Sequence, residues 1–333
     1  MPPSAYPTPV HGDWTVHDVV FNDGTSLPAL RLHYVTVGDP RGEPVLLLHG
    51  SNGSSASLLT PQFAGALFGP GQALDARRFF IVIPDALGSG ASGKPSDGLR
   101  AAFPRYDYAD MVDLQRRLLL EHLGVSHLRL VIGYSMGGMH AWLWATRHPG
   151  MMDCVMPLAA LPTEVAGRNW IMRRMIIDAV RHDPEWNNGD YVEQPRAFRH
   201  ASVYYGLATS GGSRALHLAA PTRAAADRLL DARLAAPFVG DANDHLYQWE
   251  AARHYDAAPD LEQITARLLA INSLDDERNP PELGLLEEAI ARVRGGRMLL
   301  LPADADGLGH ATLTQAARWA EALRDFLSEA PRL

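Results

Sequence analysis

Leu128-Arg-Leu-Val-Ile-Gly133-Tyr-Ser135-Met-Gly137-Gly138-Met-His-Ala-Trp-Leu-Trp-Ala-Thr146 passes from a solid apolar run into a helical-looking stretch through a serine flanked by glycines. A residue at so sharp a corner takes a strained backbone conformation, and only very small neighbours leave room for it. Residues 133–137 fit G-x-S-x-G with the context the pattern requires, a strand before and a helix after. Such a turn projects the Ser135 hydroxyl at the carboxyl edge of a sheet. There the backbone N–H of the next residue, Met136, faces a developing oxyanion. The competing reading is a fortuitous Gly/Ser turn.

Working outward, β-rich runs recur at residues 27–38, 45–48, 79–83, 128–134, 154–158, 268–272 and 298–301. Several are unbroken apolar runs, the pattern of strands buried on both faces of a parallel sheet. Amphipathic stretches lie between them. In 108–124 the apolar positions recur every three and four residues, and Gly124 offers a C-terminal stop. Alternating strand and helix predicts an α/β fold, a mostly parallel sheet covered on both faces. After about Leu161 the alternation breaks, and residues 164–261 read as helices punctuated by Pro184, Pro195, Pro221 and Pro237. Strand signals then resume at Leu268. The predicted organisation is a core formed by 1–161 and 264–333, with 162–263 as a helical cap lying over the ligand crevice at the carboxyl edge of the sheet.

A serine hydroxyl is a poor nucleophile near neutral pH unless a base removes its proton, so a histidine and an orienting acid are expected later in the chain. Of the 14 histidines, His310 stands out: Leu308-Gly-His-Ala-Thr follows the last strand and is expected to begin the final amphipathic helix. Its plainer role would be as a loop histidine capping that helix. Asp276 and Asp275 follow the strand at 268–272 and are the candidate acids, Asp276 preferred; the chain order Ser, Asp, His suits this arrangement. Glu164 ranks third, and Asp304 and Asp306 read as solvated loop. A second oxyanion donor is expected after residues 45–48, at the backbone N–H of Ser51 in His49-Gly-Ser-Asn-Gly.

Bulk properties exclude other classes. The 333 residues are 47% hydrophobic and 20% charged, with a formal net charge of -8. That composition suits a soluble globular protein and leaves no basic surplus for nucleic acid. The lone cysteine, Cys154, excludes an internal disulfide framework and reads as buried strand. The first residues lack the basic and apolar regions of a signal peptide, and no stretch approaches the roughly 20 apolar residues of a membrane span. A cytoplasmic location and no membrane partner are the expectations. Gly88-Ser-Gly-Ala-Ser-Gly93 satisfies G-x-G-x-x-G, but the breaker cluster Lys94-Pro-Ser-Asp-Gly98 follows where a nucleotide site needs a helix. No cofactor is expected, and the chemistry needs no metal. Trp170, Arg173, Arg174, Trp186, Tyr204 and Tyr205 could line a pocket, though aromatics at helical spacing are more often packing.

With these residues in hand, the chain resembles the α/β-hydrolase superfamily over nearly its whole length, and within it the homoserine O-acetyltransferase group. His49-Gly-Ser51 is similar to the first oxyanion turn, Tyr134-Ser-Met-Gly-Gly-Met-His140 to the elbow, Asp276-Glu-Arg-Asn-Pro280 to the acid motif and Gly309-His310 to the histidine motif. The more specific likeness is in the cap, where Ala179-Val-Arg-His-Asp-Pro-Glu-Trp-Asn-Asn-Gly-Asp-Tyr191 resembles a segment typical of the acetyltransferases. Two segments depart from the group. Phe198-Arg-His-Ala-Ser-Val-Tyr-Tyr-Gly-Leu207 does not preserve the arginine motif that holds homoserine, and the loop Gly88-Ser-Gly-Ala-Ser92 reads as in many hydrolases. The resemblance implies a Ser135-His310-Asp276 triad. Relatives with this cap often pair, which makes a homodimer through cap helices an expectation.

The leading expectation is a serine hydrolase acting on a small carboxylic ester through an acyl-enzyme. The alternative is an acyltransferase in which an alcohol replaces water, since the two share their first half-reaction. A binding protein need not retain all three triad residues, and a dehalogenase would need a carboxylate at position 135.

Overall fold

The computed structural model describes residues 6–208 and 211–332. Eight strands form one sheet in the order β1-β2-β4-β3-β5-β6-β7-β8. They are β1 (Val10–Val20), β2 (Ser26–Val37), β3 (Glu43–Leu48), β4 (Phe79–Pro84), β5 (Leu128–Tyr134), β6 (Met152–Leu158), β7 (Arg267–Ser273) and β8 (Arg297–Leu301). From β4 to β8 all neighbours are parallel, while β1 and β2 add an antiparallel edge.

The sequence reading missed β1. Val10-His-Gly-Asp-Trp-Thr-Val-His-Asp-Val-Val buries only Val16 and Val19, because an antiparallel edge hairpin with one solvated face needs few apolar residues. The central strands are the opposite case. Every residue of β4 and β6 is buried, and β5 is buried up to Tyr134, so these strands are apolar apart from Arg129 and Asp153, two buried charges that pair across β5 and β6 at 2.9 Å.

The helices, in chain order, are α1 (Ala64–Leu67), α2 (Tyr108–Arg117), α3 (Met136–Arg147), α4 (Gly167–Arg181), α5 (Arg196–Ala208), α6 (Gly212–Ala219), α7 (Arg223–Ala235), α8 (Ala242–Glu250), α9 (Leu285–Ala291) and α10 (Ala320–Glu329). Helices α2, α3 and α9 pack on one face of the sheet around Trp142 and Trp144; α1 and α10 cover the other around Phe63 and Trp319. Beyond α2 a π-helical turn runs from Leu118 to His122, and Gly124 at φ +66° ends it. The final helix starts later than the sequence suggested. His310 lies in a 3-10 turn, Gly309–Thr314, and α10 begins only at Ala320. That short turn leaves the histidine loop able to reach back over the sheet edge.

Helices α4 to α8 lie between β6 and β7 and carry a small core of their own around Ile176, Ile177, Phe198, Leu246 and Trp249. Among the described residues no helix is long and apolar enough to cross a membrane. Cys154 is fully buried in β6, where burial pushes its thiol up to about 12.

Candidate active site

The glycines around Ser135 explain the opening motif. Ser135 has φ 57° and ψ -113°, a conformation that costs a non-glycine residue free energy of order 1–3 kcal/mol. It is held there by packing on every side. A Cβ on Gly133 would lie 2.1 Å from the Gly137 carbonyl oxygen, one on Gly137 2.2 Å from that of Leu48, and one on Gly138 2.6 Å from that of Leu158. Helix α3 is thus pressed against the ends of β3 and β6 more closely than side chains allow. The Ser135 N–H donates to the Leu158 carbonyl at 2.9 Å, fixing the corner from below.

Loops from four strand ends converge there. His310, after β8, places Nε2 2.8 Å from Ser135 Oγ. Its Nδ1 lies 3.0 and 2.9 Å from the two oxygens of Asp276, after β7. With Nδ1 between carboxylate oxygens, its proton belongs there, and Nε2 is left to accept from the serine hydroxyl. Ser135, His310 and Asp276 are 3%, 2% and 2% exposed, so the chain of hydrogen bonds is shielded from water.

Asp276 is supported in turn. The Arg278 and Asn279 N–H groups donate to its Oδ1 at 2.8 and 3.1 Å, and Asn279 Nδ2 to its Oδ2 at 3.0 Å. Burial alone would raise its pKa, but attraction to His310 and these hydrogen bonds outweigh it, holding the carboxyl at about 2. Asp275 does not bond the imidazole; it accepts from the Ser273 hydroxyl and from the Gly309 N–H beside His310. Asp304 pairs with Arg318 at the surface, and Glu164 lies in the wall of a cavity at the cap hinge.

Ser51 follows β3. A Cβ on Gly50 would lie 3.5 Å from Ser135 Cβ, so the 50–51 peptide runs beside the serine. Among the described residues neither the Ser51 nor the Met136 N–H has a backbone acceptor. Two groups the sequence reading did not single out hold this loop. Buried His49 donates from Nδ1 to the Gly50 carbonyl (2.8 Å) and accepts the Ala86 N–H at Nε2 (2.9 Å), which assigns a neutral ring, and burial lowers its pKa accordingly. Buried Asp85 accepts from the Ser55 and Ala91 N–H groups at 2.6 and 2.8 Å. Of the glycines in the G-x-G-x-x-G run, Gly90 serves this packing, since a Cβ there would lie 2.0 Å from the Asp85 carboxylate, while Gly88 and Gly93 make room for Tyr106 and Leu30.

The cap closes from above. Gln248 of α8 accepts the Asn52 N–H at 2.8 Å and donates to the Gly88 carbonyl at 3.0 Å, bridging two crevice loops. Ser96 donates to Asp244 from its backbone (2.8 Å) and its hydroxyl (2.7 Å). Of the six cap residues named from sequence, Arg173 and Tyr205 turn inward. Arg173 is fully buried, donating to Asn169 Oδ1 at 3.2 Å, and has no carboxylate within 4 Å among the described residues. Tyr205 accepts from Arg278 at 3.2 Å; burial raises its phenol, but Arg173 and Arg278 outweigh that and lower it. Arg174 pairs with Asp178 at the surface, Tyr204 is exposed, Trp186 donates to Asn243, and Trp170 packs under Arg253. A cavity of about 770 Å³ lies between the cap hinge and the loop after β7, lined by Met139, Leu161, Asn169, Arg214, Asp276 and Arg278 among others. Ser135 is not in its wall. Among the described residues no three His, Cys, Asp or Glu side chains gather as a metal site.

Comparison with known proteins agrees with this architecture. The family model described as the alpha/beta hydrolase fold matches residues 43–282. A protein of Methanothermobacter thermautotrophicus named as a probable acyltransferase is 28% identical over 320 residues, covering 94% of this chain and 96% of that one. Homoserine O-acetyltransferase of Natronomonas pharaonis is 35% identical over 196 residues, 52% of this chain and 48% of its own, so the match spans about half of each. The solved structure of esterase E22 superposes with a TM-score of 0.83 at 21% identity, covering 96% of this chain and all of the other.

Proposed function

The chain belongs to the α/β-hydrolase fold family, and from that premise we propose that it is a serine hydrolase cleaving a small carboxylic ester through an acyl-enzyme. The observation that carries this reading is the continuous chain Ser135 Oγ to His310 Nε2, and His310 Nδ1 to Asp276, at 2.8 and 2.9 Å. Ser135 attacks the ester carbonyl while His310 takes the hydroxyl proton at Nε2. Asp276 holds the ring in the required tautomer and stabilises the imidazolium. The oxyanion of the tetrahedral intermediate accepts from the Ser51 and Met136 N–H groups, each donor contributing about 100- to 1000-fold in turnover. The imidazolium then protonates the departing alkoxide. Water, deprotonated by the same nitrogen, attacks the acyl carbonyl and releases the carboxylic acid.

A second reading has its own support. The relative named as a probable acyltransferase aligns over nearly the full length of both chains, and acyl transfer to a small alcohol needs only that an acceptor replace water. The two readings separate when an activated acetate ester is offered with and without excess L-homoserine, and the acyl product is assigned by mass spectrometry against Ser135→Ala. Ser135-dependent acetate in both reactions supports hydrolysis. Acetylhomoserine in preference to acetate replaces that reading with transfer.

A further inference from the structure

Three consecutive acids, Asp275, Asp276 and Glu277, each bind the histidine loop, and each at a different atom. Asp275 Oδ2 accepts the Gly309 N–H at 3.2 Å, Asp276 takes the imidazole Nδ1, and Glu277 Oε2 accepts the His310 N–H at 2.9 Å. The Asp276 contact belongs to the triad. The Glu277 contact sits one residue's backbone away from the reacting ring and has no part in the mechanism above.

Two features set the Glu277 contact apart from ordinary loop packing. The His310 N–H lies in the first turn of a 3-10 helix and needs an acceptor, but any neutral side-chain oxygen would satisfy it. Glu277 brings a carboxylate instead, and its other oxygen, Oε1, is buried with no hydrogen-bond partner among the described residues. An unsatisfied buried carboxylate oxygen is costly, so a glutamine-like neutral acceptor would be the cheaper choice for packing alone. The backbone is also shaped around this side chain. Gly309 has φ +58°, and a Cβ there would lie 2.2 Å from Glu277 Oε2.

We infer that Glu277 is a positioning residue for the reaction: it fixes the main chain of His310 and adds a second negative charge that stabilises the imidazolium formed when Ser135 gives up its proton. The inference rests on reading His310 as the base. The charged and titratable groups around the ring are Asp275, Asp276, Glu277 and Arg278 from the loop after β7, Tyr134 from the end of β5, Tyr205 of α5, and Arg214 of α6, which packs on the histidine turn and lines the same cavity as Glu277. Tyr134 stays neutral, its phenol raised chiefly by burial, and its hydroxyl donates weakly to the His310 carbonyl at 3.4 Å. Arg278 is engaged with Tyr205 of the cap. Besides Asp276, Glu277 is the carboxylate that bonds His310 itself, at its backbone N–H. A nearby anion favours the protonated ring, so a neutral side chain at this position supports the imidazolium less well.

The test compares Glu277→Gln and Glu277→Ala with the full-length wild-type chain, on an activated acetate ester across the pH range. Glu277→Gln keeps an acceptor but loses the charge. Its acidic limb of kcat/KM is expected to move to lower pH by roughly half a unit or more, with kcat reduced about 3- to 10-fold and KM unchanged. Glu277→Ala loses the acceptor as well, with a drop in kcat of about 10- to 100-fold. A Glu277→Gln enzyme with wild-type kcat and an unmoved acidic limb overturns the inference, whatever the alanine variant does. Absence of Ser135-dependent cleavage in the wild type overturns the underlying hydrolase reading and the inference with it. A poorly folded Glu277→Ala, recognised by its melting curve, leaves the decision with Glu277→Gln.

Discussion

The strand-end site and the cap above it are built differently. Around Ser135 nearly every position is over-determined: three glycines admit no Cβ, two buried groups, His49 and Asp85, pin the flanking loops, and a run of directional hydrogen bonds fixes Asp276 and His310. The cap has its own small core and leaves large apolar side chains such as Ile171, Met175, Val192 and Val239 exposed. It is tied to the crevice loops by side chains such as Gln248, Asp244 and Tyr205, and to the 100–105 segment by Asp190, Tyr247 and Glu250. The Ser135, His310 and Asp276 side chains thus sit where close packing and directional hydrogen bonds fix each position, whereas the cap offers a more exposed surface above them.

The sharpest way to break this contrast is to change the site and find the activity preserved. Ser135→Ala is expected to lower kcat on the order of 10⁶-fold. Its melting temperature should stay within a few degrees of wild type, since the hydroxyl contributes one hydrogen bond. Asp276→Asn should cost about 10⁴-fold by favouring the wrong imidazole tautomer, with KM little changed in steady-state assays. On the cap side the effects shrink. Gln248→Ala leaves the Asn52 N–H and the Gly88 carbonyl without their cap partner; kcat/KM should fall roughly 10-fold, the worth of about one hydrogen bond beside the Ser51 loop. A fall as large as that of Asp276→Asn would erase the distinction between the two regions.

The smallest effect concerns stability. Burial raises Asp244 from 3.8 to about 6, against the pull of its hydrogen bonds from Ser96. Because the folded pKa lies above the unfolded one, this group's contribution to stability falls as pH rises from about 4 to about 6 and is level above. Asp244→Asn removes that slope. Its melting temperature relative to wild type should rise across this window; a constant offset from pH 4 to pH 8 would show that Asp244 does not titrate there.

Much of this contrast could be read from residues alone, and where it could not the reason is physical. The central strands announce themselves because burial on both faces favours apolar side chains nearly throughout, and the elbow does so because close packing permits only glycine. Ser135, Asp276 and His310 sit in short motifs at strand ends, where spacing carries position. Strand β1 escaped because a half-solvated hairpin edge leaves a mixed sequence. His49, Asp85 and Glu277 escaped for another reason: each acts through a backbone group distant in sequence, and a histidine or acid in a loop looks the same whether it is solvated or holding a catalytic loop. The run Asp275-Asp276-Glu277 was visible, but only the fold shows that all three point at one turn. The cap was readable as helices, yet which faces turn inward depends on packing against loops 150 residues away, as Gln248 and Asn52 illustrate at a separation of 196.

The central claim is that Ser135 carries the acyl group between two half-reactions. The direct measurement is intact-protein and peptide mass spectrometry of the chain quenched during turnover of p-nitrophenyl acetate. One acetyl group on the peptide containing Ser135, absent from Ser135→Ala, is the predicted result. Continuing turnover with Ser135 unmodified, or equal turnover by Ser135→Ala, would contradict it.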